Sequence, residues 1–209
     1  MYQEYLNSSL TEFSKKYAGK CIGICGNIIL EHRVPDHLYI GNQFCHLLFP
    51  ERKLLFEIIE KAAAEQVEIT LVFSYIREYM LDYITELLDE INRWCEEKRQ
   101  SVEIVVNDWG MASLVKKSRR NLIPSLGILL NKRRKDPRIP FKKGEQKWFE
   151  RNSLNAGFYR NFLEREYGIQ RFEWESCGYE QKIPPGKNSL HIPFYQTNTS
   201  QYCPLGAVC

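Results

Sequence analysis

What this chain lacks narrows its class first. No apolar run reaches the ~18 residues that a membrane-spanning helix needs, so no membrane partner is expected. The first twenty residues, MYQEYLNSSLTEFSKKYAGK, are polar and carry acidic groups in place of the apolar stretch of a signal peptide. The expected compartment is the cytoplasm. No internal repeat and no low-complexity linker interrupts the chain. A net charge of +3 is too small to imply nucleic-acid binding through bulk charge, although it leaves room for a local basic patch. Neither the zinc-binding HExxH pattern nor an evident nucleophile–base pair is present.

What is there fits an ordinary globular domain. Hydrophobic residues make up 44% and charged residues 26% of 209 positions, which supports a real core and a single domain over residues 1–209. The seven cysteines are Cys21, Cys25, Cys45, Cys95, Cys177, Cys203 and Cys209. In a reducing compartment a disulfide framework is not expected. The tail YCPLGAVC places a cysteine in the last position, an odd place for a domain to stop, and suggests a truncated chain or gene fragment.

Short β-rich segments alternate with helical ones. Residues 38–41 (LYIG), 68–74 (EITLVFS), 102–106 (VEIVV), 171–175 (RFEWE) and 189–194 (SLHIPF) read as strands. Residues 121–130 are a weaker strand-and-loop candidate, and 21–30 a further strand or a buried loop. Pro50 opens a helix with Leu54, Leu55, Ile58 and Ile59 on one face. Residues 79–98, 109–117 and 155–167 also read as helices, the last ended by Gly168. Strand–helix alternation predicts parallel βαβ units. About six strands in 209 residues is short of the ~250 that an eight-stranded barrel usually takes. The predicted fold is therefore α/β, a (β/α) barrel-like parallel sheet that is incomplete or truncated.

In such folds reactive groups gather past the carboxyl ends of the strands. Those positions hold Asn42 and Cys45, Asn107 and Asp108, Asn131, Ser176 and Cys177, then Tyr195, Cys203 and Cys209. By residue type, Asn107 and Asp108 read first as a turn or helix cap. The five-residue spacer between Cys203 and Cys209 is loose for a zinc knuckle, and spacing alone favours free or buried thiols. Cys21 and Cys25 read as part of a buried segment, and Cys95, beside Trp94, as packing. His191 points opposite to Leu190 and Ile192. Glu173 and Glu175 share one face of their strand, and if that face is interior, one of them is an acid or base. The run KRRKDPRIPFKKGEQK, residues 132–147, could grip RNA phosphates, although solvated surface is the commoner fate of such a run.

At VNDWG (106–110) followed by LGILLNK (126–132), with YIGNQFC ending at Cys45 and HIPFYQTNTSQYC ending at Cys203, the chain resembles the collagenase-like peptidase family, unclassified-peptidase family 32. The branch it is most similar to is associated with oxygen-independent ubiquinone hydroxylation. The resemblance covers the chain from about a fifth of its length to its end. It implies a (β/α) barrel and a four-iron–four-sulfur cluster on cysteines, with Cys45, Cys203, Cys209 and Cys177 as the positions that could carry it. The spacing to Cys209 departs from the family pattern. The resemblance also implies a hydroxylation or related redox modification of a small molecule or RNA, with a second family member as partner; Asn107, Asp108, His191 and Glu175 are the residues expected to line the site. The older peptidase label, and a non-enzymatic RNA-binding scaffold using residues 132–147, are the alternatives.

Overall fold

β-Branched segments flanked by amphipathic helices have one economical solution, a parallel sheet with helices packed against it, and the computed structural model has that form. It describes residues 2–17, 24–25, 37–117, 119–133, 136, 138–141, 143–144, 147–177 and 179–191.

Two short helices, α1 (Tyr2–Leu6) and α2 (Leu10–Tyr17), precede β1 (Ile24–Cys25) and β2 (His37–Gly41). There follow α3 (Arg52–Ala64), β3 (Glu68–Val72), α4 (Leu81–Lys98), β4 (Val102–Val106), α5 (Trp109–Lys116) and β5 (Leu122–Leu126). The rest is α6 (Lys147–Glu150), α7 (Gly157–Tyr167), β6 (Arg171–Glu175) and β7 (Lys187–His191). The strands lie in the sheet in chain order; β1 pairs antiparallel with β2, and β2 through β7 are all parallel.

The sheet curls into an incomplete barrel. Laid flat, β2 and β7 would stand five strand spacings apart, roughly 24 Å. Instead the Tyr39 hydroxyl of β2 lies 3.0 Å from Ser189 Oγ of β7. The Tyr39 and His191 rings meet edge to face with centroids 5.8 Å apart.

The alternation of strand side chains sorts the two faces. Leu38, Ile40, Ile69, Leu71, Ile104, Val106, Leu126, Phe172 and Trp174 join the main core with Leu55, Ile58, Leu87, Leu88 and Ile91 of the helices. On the concave face only Tyr39, Val72 and Val105 form an apolar group; most of that face is polar. Tyr5, Leu10 and Phe13 extend the core beyond the sequence-based elements, with the Tyr5 hydroxyl donating to Glu65 Oε2 at 2.7 Å.

Helix boundaries follow local chemistry. Residues 78–80 form a 3-10 turn ahead of α4, and 153–155 another ahead of α7, so both helices begin later than periodicity predicts. Gly168 ends α7 with a positive φ of 71°, a left-handed cap that glycine adopts without steric cost. Cys95 is fully buried on α4, the packing role expected of it. Burial, reinforced by the neighbouring Glu96 carboxylate, pushes its thiol up to about 11. At pH 8 a thiol reagent is therefore expected to modify Cys45 and Cys177, both partly exposed, and to leave Cys95 unmodified until the chain unfolds. Peptide mass mapping of native and denatured samples checks this.

Candidate functional site at the carboxyl rim

The concave face of β6 carries Arg171, Glu173 and Glu175, and that of β7 carries Lys187, Ser189 and His191. Glu173 is fully buried. Its Oε1 accepts from the Tyr39 hydroxyl at 3.2 Å and from Ser125 Oγ at 3.4 Å. Its Oε2 lies 2.5 Å from His191 Nε2. A carboxylate with no water around it needs such partners, because burying an unpaired charge is very costly.

Gln43, just past β2, fixes the rim from the other side. Its Oε1 accepts from the Ile128 amide at 2.9 Å, and its Nε2 lies 3.4 Å from His191 Nε2. One ring nitrogen cannot serve both neighbours. If Nε2–H donates to Glu173, it has no lone pair for Gln43, and the shorter contact favours Glu173. The arrangement is a partly exposed imidazole oriented by a buried carboxylate, the geometry of a group that exchanges a proton with a ligand while its partner holds it in place.

The network continues toward the amino ends of the strands. Arg171 donates to Ser189 Oγ from Nε at 3.1 Å and from Nη2 at 2.9 Å, and pairs with Glu103 at 3.2 Å. Thr70 donates to the other oxygen of Glu103 at 3.0 Å. Burial pushes the Glu103 carboxyl above its usual range, and Arg171 only partly offsets this. Burial alone would lower Arg171, but the Glu103 carboxylate, with Tyr39 and Glu173, outweighs it, and the guanidinium is held more firmly charged.

The expected site residues fall into three groups. His191 joins the network, with Glu173 as its carboxylate. Glu175, on the same interior face, is held elsewhere: Arg133 Nη2 pairs with its Oε2 at 2.7 Å, Nη1 donates to its backbone carbonyl at 2.8 Å, and both side chains are buried. Arg133 also donates to Gln181. Arg133, the second cation of the basic run, is thus a buried anchor, whereas Lys132 before it is exposed.

Asn107 and Asp108 fasten elements together, as their residue types suggested. Asn107 Nδ2 donates to the Phe73 carbonyl at 2.8 Å and its Oδ1 accepts from the Leu129 amide at 3.1 Å, joining the ends of three neighbouring segments. A Cβ at Gly127 would collide with that same Oδ1, so the close approach requires glycine. Asp108 caps α5, accepting from the Met111 amide at 2.7 Å, and its second oxygen accepts from the Ile76 amide at 2.8 Å. Asp108→Ala is expected to cost about 2 kcal/mol, near the top of the range for a lost cap because a second bond goes with it; urea denaturation measures it.

Of the four expected cysteines, Cys203 and Cys209 lie outside the described residues, as do residues 192–194 of the last predicted strand. Cys45 and Cys177 are partly exposed free thiols just past β2 and β6. The Asn42 side chain shapes the first turn by accepting from the amides of Phe44 and Cys45 at 2.8 and 3.0 Å. Cys177 Sγ donates to the Tyr179 carbonyl at 3.2 Å. Among the described residues, no group of three or more His, Cys, Asp or Glu side chains is placed to hold a metal ion. No helix among them is long and apolar enough to cross a membrane.

Sequence reasoning passed over Tyr39, Gln43, Ser125 and Arg171. Tyr39 and Arg171 were legible as alternate-face residues of their strands, but their partners lie far away in sequence, 134 positions for Tyr39 and Glu173. No family model, no curated protein and no solved structure matches this chain.

Proposed function

We propose that this chain is an iron–sulfur protein taking part in an oxygen-independent hydroxylation or related redox modification of a small molecule or RNA, with the carboxyl rim as its site. The observation that supports this reading is the His191–Glu173 contact at the carboxyl rim, with two of the expected cysteines following strands of the same sheet. Cys45 lies two residues beyond Gln43, and Cys177 two beyond Glu175, which is the register partner of His191. The two thiols, 132 positions apart in the numbering, both follow the carboxyl ends of strands in the sheet that carries His191.

Thiolates are the donor type that iron–sulfur clusters use, and Cys45 and Cys177 would supply two; Cys203 and Cys209 complete the set that the resemblance implies. A bound four-iron–four-sulfur cluster would supply electron transfer. The chain's own residues have separate work. His191 moves a proton at its ring, Glu173 orients that ring and balances the charge it gains, and Tyr39 and Ser125 hold the carboxylate in place. Asn107, Asp108 and Glu175 act by positioning the rim. A second, related chain is the partner we propose for the assembly.

Two observations weigh against the alternatives. Ser189, the hydroxyl beside His191 on the concave face, accepts from Arg171 and Tyr39, which suits an anchored acceptor more than a hydrolytic nucleophile. Arg133, within the basic run, is sequestered by Glu175 and is not free for phosphate.

The test is iron and sulfide analysis with an absorption spectrum on anaerobically purified wild type, Cys45→Ala and Cys203→Ala. The proposal expects iron and sulfide together with broad absorption near ~400 nm, both lost in the variants. A colourless, iron-free wild type after anaerobic reconstitution overturns it.

A further inference from the structure

A cavity lies at the other end of the barrel. It measures about 460 Å³ and is lined from the amino-terminal parts of all six parallel strands, including His37, Glu68, Glu103, Ile123, Arg171 and Lys187. That volume falls within the range of small-molecule sites, roughly 300–1,000 Å³. Amino-terminal faces of barrels are ordinarily given over to stability, and a filled apolar plug would serve that end. Here the sheet leaves an open chamber with charged walls.

The charges are not evenly matched across it. Glu68 Oε2 pairs with His37 Nε2 at 2.8 Å. Glu103 is engaged on both oxygens, by Arg171 and by Thr70. Lys187 stands directly beside Arg171 in the β6–β7 register, on the same face, and among the described residues it has no acidic partner. Neighbouring like charges on adjacent strands repel. Glu103 offsets Arg171, which leaves Lys187 as the cation of the β6–β7 side without an acidic partner among the described residues.

We infer that this amino-terminal cavity is a binding site for a small molecule bearing a phosphate or carboxylate group, held by Lys187 with Arg171 beside it. An anion oxygen accepts a charge-assisted hydrogen bond from Lys187, and Arg171, held by Ser189 and Glu103, adds its charge beside it. Glu68, largely exposed at the cavity mouth, accepts from hydroxyl or amino groups elsewhere on the ligand. The site is separate from the carboxyl rim and does not depend on the redox reading.

Inorganic phosphate is the first probe and acetate the second, each titrated into the intact chain at constant ionic strength and followed by backbone amide NMR. The expected result is saturable shifts at Arg171, Lys187 and His37, with Lys187→Gln weakening phosphate affinity about tenfold, the loss of one charge-assisted bond. Lys182→Gln, on an exposed loop, is expected to bind as wild type does. Acetate saturating as well assigns the site to carboxylates and phosphates alike; phosphate alone assigns it to phosphates. Shifts that rise linearly without saturating, or that persist unchanged in Lys187→Gln, overturn the proposal. Unchanged amide dispersion in Lys187→Gln shows that its loss of binding is not loss of fold.

Discussion

Arg133→Ala is expected to destabilise the chain by about 3–5 kcal/mol, the cost of leaving one half of a buried ion pair without the other. The pair is 4% and 2% exposed, and its geometry is doubly engaged, one guanidinium nitrogen on the Glu175 carboxylate and the other on the Glu175 carbonyl. Removing the cation strands a carboxylate that water cannot reach. It also frees the segment after β5 from the β6–β7 connection, which Gln181 ties to the same carbonyl at 2.9 Å. The double change Arg133→Met with Glu175→Leu removes both charges and keeps the volume, so it is expected to recover most of the loss. Urea denaturation of the three proteins measures both effects. Loss of RNA binding on neutralising Arg133 would therefore report a damaged loop as readily as a lost phosphate contact.

The second large effect falls on chemistry. His191→Gln is expected to lower turnover of the proposed reaction by about 10²–10⁴-fold, the usual contribution of a positioned proton-transfer group. Glu173→Gln keeps the shape and removes the charge. It acts through His191, so its loss is expected to lie within the same range and not to multiply when both changes are combined. The two variants differ in another readout. In wild type the carboxylate fixes which ring nitrogen carries the proton; in Glu173→Gln that preference goes, and nitrogen NMR of the His191 ring records a changed tautomer mixture. A merely structural role for Glu173 would leave that signature unmoved while lowering stability.

Much of the fold was legible because its signals are local. β4 and β6 match the five-residue segments VEIVV and RFEWE, each rich in β-branched or aromatic residues. β5 was weak for a physical reason. Its sequence is LIPSL, and proline cannot donate to a sheet ladder. The chain accommodates Pro124 because the ladder with β6 begins only at Ser125. The amino-terminal helices were missed because their buried residues, Tyr5, Leu10 and Phe13, are spread over two short elements and show no sustained period.

The site was legible in part. Strand alternation put Glu173 and Glu175 on one face and left open which of them mattered. The choice depends on tertiary neighbours: Arg133 engages Glu175, and the curl of the sheet brings Tyr39 and His191 to Glu173. Sheet curvature is a sum over many strands and leaves no mark on any one of them. The cap role of Asp108 was readable from residue type, whereas its second bond, to Ile76, joins segments 32 positions apart.

Everything proposed for the rim depends on that curl, and a nuclear Overhauser measurement between the Tyr39 and His191 rings tests it directly. With centroids 5.8 Å apart, ring protons of the two side chains should give a cross-peak, lost in Tyr39→Leu. A flat or more open sheet would hold β2 and β7 up to roughly 24 Å apart. No cross-peak between assigned ring protons of the folded chain would contradict the account, because Glu173, His191 and the cysteine after β2 would then share no site.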